Sequence, residues 1–172
     1  MDLLHRSADR DSLLERSVER ELIPAAAALG IGVTAWSPLK GGILSGKYHG
    51  GAKAVDGRMS SEMMQDFIPE KVRTEKTVEA VKSVSEQVNR SMAQVALAWL
   101  RYRPNPVIPI LGARKVAQLK DNLASFELQL SIEHLKVLDE ASAIELGFPH
   151  DFYNLEMVRG LIYGGMRDRI LA

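Results

Sequence analysis

GVTAWSPLKGGILSGKY, residues 32–48, decides how this chain reads. Val33-Thr-Ala-Trp36 is short, β-favouring and almost wholly apolar, as suits a parallel strand buried on both faces. It runs straight into Ser37-Pro-Leu-Lys-Gly-Gly42, a turn with two glycines and a lysine. A strand that only feeds a core needs none of that. A strand whose carboxyl end meets a ligand could use all of it, since ligands of α/β folds sit at that end.

Upstream, Leu14, Val18 and Leu22 recur every four residues, which predicts a helix over 13–29. Pro24 breaks or restarts it, and Gly30 ends it. Downstream, residues 40–68 carry six glycines in a long loop, a length that is usually functional in a compact domain. A helix runs from Pro69 to about Val88, with Val78, Val81, Val84 and Val88 on one side. Ser91-Met-Ala-Gln94 is a capping box that starts another helix, whose stripe is Met92, Val95, Ala96, Trp99 and Leu100. Val107-Ile-Pro-Ile110 is a second short apolar strand. Its Pro109 cannot donate to a ladder, so one edge there is free or bulged. Gly112-Ala-Arg114 turns into an amphipathic helix over 115–124, and Ser131 caps a further one carrying Ile132, Leu135 and Leu138. The stretch from Gly147 is aromatic and Gly-rich without clear period.

Alternating strand and helix units predict an α/β fold with a parallel sheet. Only two strands are evident, and two parallel strands do not make a stable sheet. The pattern is that of part of a larger one, with exposed strand edges that invite association.

The bulk numbers narrow the function classes. The chain has 172 residues, 22 basic and 22 acidic, and no cysteine. With no net charge there is no global field to draw in nucleic acid or anionic membrane. The helix pair 70–88 and 91–103 carries Arg101 and Arg103 only at its end, which argues against DNA binding. The absence of cysteine rules out disulfides, thiolate zinc sites and a cysteine nucleophile, and agrees with a reducing, cytoplasmic location. No apolar run approaches the ~20 residues of a membrane span. The first residues are too charged for a secretory signal. Four scattered histidines lack an i, i+4 pairing and make no metal cluster.

Both strand ends carry ligand-binding equipment. After the first come Ser37, Gly41, Gly42 and Lys47. After the second come Gly112, Arg114, Gln118 and Asn122. A glycine turn opening a helix offers free backbone N–H groups to an anion. Arg114 adds a fork for phosphate, Gln118 and Asn122 share a helix face, and Trp36 offers a flat face for an aromatic ring. Each signal also has an ordinary reading: Arg114 as a solvated charge, Trp36 as core, Lys47 as a loop lysine.

Together, AWSPLKGGILSGKY (35–48), VIPILGARKVAQLKDN (107–122) and IELGFPHDF (144–152) resemble the aldo-keto reductase superfamily, in the branch of the potassium-channel beta subunits and bacterial homologues. The resemblance covers residues 13–172, leaving 1–12 unmatched. It implies a partial (β/α)8 TIM barrel: the last two strands with their helices and the C-terminal tail. It also implies NADP(H) as cofactor and carbonyl reduction as the family reaction. Matched by position, Trp36 lies against the nicotinamide. Ser37, Pro38, Leu39, Lys40 and Gly41 line the pyrophosphate side, and Lys47 and Arg58 contact phosphate. Gly112, Arg114, Gln118, Asp121 and Asn122 hold the adenosine end, Arg114 near the 2′-phosphate. Lys40 departs from the family's usual small residue, and Asp121 from its usual Glu.

The family's Asp, Tyr, Lys, His tetrad belongs to the first half of the barrel and has no counterpart here. Asp11 stands where the family has a Tyr ending its sixth strand, and MDLLHRSADRD looks unrelated, as though that strand were lost. His5, His49, His134 and His150 do not align with the tetrad His, nor Tyr48, Tyr102, Tyr153 and Tyr163 with its Tyr. No catalytic residue is therefore assigned. The expected function is the C-terminal portion of an NADPH-dependent reductase, inactive alone. The alternatives are a non-catalytic NADP(H)-binding or subunit-completing module, or a truncated product without independent function. The expected partners are a second copy or a chain supplying the missing strands. Phe148, Phe152 and Tyr153 are candidates to line a substrate pocket.

Overall fold

A computed structural model describes residues 6–48 and 70–170; Arg58 lies outside them. Three parallel strands form one sheet in the order β1 (Arg6–Arg10), β2 (Gly32–Trp36), β3 (Val107–Pro109). β2 is central. Val33 is in register with Ser7 on one side and Val107 on the other. The ladder extends past β3, where the Ile110 amide donates to the Ala35 carbonyl at 2.8 Å. β3 is an edge strand, and Pro109 sits in it at no cost to the pairing with β2.

β1 corrects the expectation that this strand is lost. RSADR has no apolar alternation to announce a strand. It is one because an edge strand needs only backbone pairing, and β2 supplies the partner from Arg6↔Gly32 to Arg10↔Trp36.

The helix expected over 13–29 is also corrected. Leu13 and Leu14 are both fully buried, but not on a helix. Ser12 and Glu15 instead close a tight turn through two backbone hydrogen bonds of 3.1 and 2.9 Å. A 3₁₀ turn follows at Ser17–Glu19, and α1 spans only Leu22–Ala28. Pro24 lies in its first turn, where the missing N–H is harmless. Gly30, at φ 65°, ends it. The Gly30 amide donates to the Ala27 carbonyl and the Ile31 amide to the Ala26 carbonyl, so the last carbonyls of α1 are satisfied as the chain turns into β2.

β2 alternates rather than burying both faces. Val33 and Ala35 point into a core shared with Leu13, Leu14, Val95 and Trp99. Thr34 and Trp36 point the other way, as does Ile108, the register partner of Thr34. Ile108 is 51% exposed and Ile110 52%. The face that would look into a closed barrel is open.

Helices cover the other face. α2 (Lys71–Gln87) buries Val78, Val81 and Val84, and α3 (Met92–Leu100) is buried from Ala93 to Leu100. The capping box at Ser91 is formed, its Oγ accepting from the Gln94 amide at 3.2 Å. α4 (Val116–Ala124) packs on α3 with only Asn122 buried, leaving Val116, Leu119 and Leu123 exposed. α5 (Ile132–Ser142), capped by Ser131, lies along α2. The segment from Gly147, which showed no period, forms the short helices α6 (His150–Asn154), α7 (Glu156–Tyr163) and α8 (Arg167–Ile170). No helix among the described residues is long and apolar enough to cross a membrane.

Candidate functional site at the strand ends

The Ala35–Ile110 hydrogen bond fixes the geometry. Trp36 lies one residue beyond that junction and Gly112 two, so the two segments singled out from the sequence end side by side. The 310 Å³ cleft beside Ala26, Gly32 and Pro106 opens at the opposite, amino end of the sheet.

Trp36 ends β2 with 40% of its surface exposed. It is a half-open platform rather than a core residue. Its register partner on β1 is Arg10, whose guanidinium carbon lies 4.2 Å from the indole centroid. Register partners in a parallel pair share a face, so Arg10 belongs to the same side of the sheet as the indole. Sequence reasoning missed Arg10 because it missed β1.

The turn after Trp36 is tightly wound. Ser37 and Lys40 adopt φ of 56° and 46°, followed by Gly41 at 66° and Gly42 at 101°. Two non-glycine residues in the left-handed region cost about 1–2 kcal/mol each, strain that concentrates at ligand-binding turns. The Lys40 amide donates to the Ser37 carbonyl at 2.8 Å, and the Gly42 amide to the Leu39 carbonyl at 2.9 Å. Pro38 is buried and Leu39 packs against the core. Lys40 points inward: it is buried, and its ammonium lies 3.1 Å from a Glu15 carboxylate oxygen. That carboxylate also accepts from Ser17 Oγ at 2.6 Å. Burial alone would raise the Glu15 carboxyl, but the Ser17 and Lys40 hydrogen bonds and the Lys40 charge outweigh it and hold it below its ordinary value. Lys47 is exposed.

At the second strand end, a Cβ added to Gly112 would meet nothing within 4 Å, so the backbone there is open to a ligand. Arg114 is exposed beside it. Gln118 is turned back on its own helix, its Oε1 accepting from the Arg114 and Lys115 amides at 3.0 and 3.3 Å. The Asp121 carboxylate accepts from Ser91 Oγ at 2.8 Å and Gln94 Nε2 at 2.6 Å, which ties α4 to the start of α3. Asn122 is buried. Gln118, Asp121 and Asn122 thus lie in the segment foreseen for them, with the first two engaged by the protein's own groups.

Other candidates lie elsewhere. The Tyr102 hydroxyl bonds Gln129 and accepts from the Leu130 amide, and His134 Nδ1 accepts from the Ser131 amide. Phe148, Phe152 and Tyr153 are exposed, their rings tilted against one another at about 6 Å. Among the described residues no cluster of three metal-ligating side chains occurs.

Residues 10–143 match the sequence profile of the aldo/keto reductase family. The chain belongs to the aldo/keto reductase family. It is 39% identical over 129 residues to an uncharacterized oxidoreductase, YrpG, of Bacillus subtilis (strain 168), covering 75% of this chain and 37% of that protein. A protein of Arabidopsis thaliana named "Probable voltage-gated potassium channel subunit beta" is 32% identical over 113 residues, covering 64% of this chain and 34% of its own length. The fold matches a thermostable aldo-keto reductase crystallised with the inhibitor epalrestat, with TM-score 0.56 at 23% identity, over 79% of this chain and 39% of that one. The chain spans less than half the length of each of these three proteins.

Proposed function

We propose that this chain is the C-terminal, cofactor-facing part of an NADPH-dependent carbonyl reductase, and that it does not reduce carbonyls by itself. The observation that carries the reading is the junction of β2 and β3, which sets a half-exposed indole beside an open glycine turn bearing an arginine. The donor set fits a dinucleotide phosphate. Trp36 would stack on the nicotinamide. The turn Ser37–Gly41 would follow the pyrophosphate, with Lys47 at its margin. The open backbone at Gly112 would face the adenosine, and Arg114 would fork the 2′-phosphate. Lys40 does not join them, because its ammonium is committed to Glu15. When bound, NADPH supplies a hydride to a carbonyl carbon.

A proton donor must complement that hydride, and general acid catalysis contributes ~10²–10⁴-fold. No residue of this chain aligns with the family's tetrad Tyr. The open face bearing Ile108 and Ile110 supports association with strands from another chain or a second copy, in a cytoplasmic setting.

Calorimetric titration of the purified chain with NADPH tests the site, and absorbance at the dihydronicotinamide band with a simple aldehyde tests the chemistry. Saturable 1:1 binding without turnover is expected. No heat at millimolar cofactor would remove the binding reading, and sustained NADPH oxidation would remove the claim of incompetence.

A further inference from the structure

Lys40 stands in the turn after β2 at φ 46°, a left-handed conformation that ordinary side chains avoid. Its side chain is buried, and its ammonium lies 3.1 Å from Glu15 Oε2. Glu15 belongs to a different segment, the tight turn between β1 and α1. We infer that Glu15 is a positioning residue for the cofactor's pyrophosphate: through Lys40 it holds the turn Ser37–Gly42 in the shape presented to that group. The inference rests on the dinucleotide reading above and adds to it a residue, outside both strand ends, that fixes the phosphate-side turn.

Each step from Glu15 to the turn is anchored. Ser12 and Glu15 exchange backbone hydrogen bonds of 3.1 and 2.9 Å, and Leu13 and Leu14 between them are fully buried. The Glu15 backbone is therefore fixed to the core. Its carboxylate is fixed in turn, because Ser17 Oγ donates to Oε1 at 2.6 Å and Lys40 Nζ donates to Oε2. Withdrawing the Lys40 ammonium would leave a buried charge without its partner, which is costly. The Lys40 backbone thus stays where its side chain reaches Glu15. Its neighbours follow. The Lys40 amide donates to the Ser37 carbonyl at 2.8 Å and the Gly42 amide to the Leu39 carbonyl at 2.9 Å, so the turn moves as a unit with Lys40. Ser37, at φ 56°, shares its left-handed conformation. A turn held in advance spares an incoming phosphate the entropy of ordering it. The pair also cancels the Lys40 charge, so the turn meets an anion through its fixed backbone and not through a mobile ammonium.

The test is calorimetric titration of the full chain with two ligands, NADPH and adenosine 2′-monophosphate, which reaches only the Gly112–Arg114 end. Glu15→Gln is expected to weaken NADPH by about ten-fold, roughly the worth of one hydrogen bond to a charged group. Adenosine 2′-monophosphate is expected to change by less than about two-fold, as suits a distant, independent site. Lys40→Met, which keeps the length and removes the charge, should match Glu15→Gln, and the double variant should lose no more than either alone. Circular dichroism checks that the variants keep the fold. If Glu15→Gln does not fold, Lys40→Met carries the comparison of ligands; if the fragment binds too weakly to titrate, the double-variant comparison decides. Unchanged or tighter NADPH binding in Glu15→Gln overturns the inference and leaves the dinucleotide site standing. Equal weakening of both ligands, or losses that add in the double variant, does the same. Absence of NADPH binding by the unmodified chain overturns both.

Discussion

Asp11 is fully buried, and neither carboxylate oxygen has a hydrogen-bond partner. Its nearest cation is Arg103, whose Nε lies 3.4 Å away, close enough for an ion pair but poorly aimed. Arg103 is better engaged elsewhere: its Nη2 lies 2.6 Å from Glu19 Oε1, and its guanidinium stands 4.6 Å over the Trp99 ring. Burial therefore pushes the Asp11 carboxyl up, against the opposing Arg103 charge and reinforced by the Glu19 charge. A carboxyl whose folded value exceeds its unfolded one binds more protons when folded. Stability then falls as pH rises from the ordinary 3.8 through the raised value, and the loss is complete above it. Glu15 runs the other way: its stabilisation is present above 4.5 and disappears on acidification through the lowered folded value. Removing one partner of a buried pair usually costs 3–5 kcal/mol. Here Arg103 keeps Glu19, and its Nε makes no hydrogen bond to Asp11 that the change would remove. Asp11→Asn is therefore expected to raise neutral-pH stability, because the variant no longer buries a poorly paired charge. Urea denaturation between pH 3 and 8 should show the alkaline-going decline vanish in the variant. A loss of several kcal/mol at pH 7 would mean the Asp11–Arg103 pair is worth more than its geometry indicates.

At the scale of elements, the Asp121 carboxylate joins two helices through Ser91 and Gln94. Gln94 is buried, and its Oε1 already lacks a partner. Asp121→Ala would leave the whole Gln94 amide unsatisfied, a loss of about 1–3 kcal/mol, visible as a lower urea midpoint with unchanged slope. Asp121→Asn recovers part of it, and NADPH affinity below the transition changes less than about three-fold. A large affinity loss with intact stability would return Asp121 to the ligand. This clip marks what the sequence could and could not reveal. Ser91, Ser131 and Gly30 were legible because a cap is decided within four or five residues. That the Asp121 carboxylate accepts from Ser91 and Gln94 depends on neighbours that only folding brings near. β1 was illegible for a related reason: RSADR has no strand pattern of its own and is a strand because β2 lies beside it. The pairing of β2 with β3 was foreseen from the shared family pattern, whereas Arg10 over Trp36 follows from β1 alone.

At the scale of the molecule, helices cover one side of the sheet, and on the other Trp36, Ile108 and Ile110 are exposed among the described residues. A closed eight-stranded barrel fills its interior with layers of side chains from alternate strands. Here Ile108 and Ile110 stand about half exposed on that face, and both outer edges of the sheet lack a strand partner among the described residues. Fully burying one such side chain is worth about 1.5–3 kcal/mol, so a surface carrying several drives association at modest concentration. The purified chain is expected to sediment as a concentration-dependent equilibrium rather than a fixed monomer. Ile108→Thr keeps a β-branched residue in β3 while removing apolar surface, and should weaken that self-association by about ten-fold, or 1.4 kcal/mol, without altering circular dichroism. Equal weakening by Ile132→Thr, exposed on α5, would show that association is non-specific. A monomer at every accessible concentration would show that the open face is tolerated by water, and the case for strands from a second copy would fall with it.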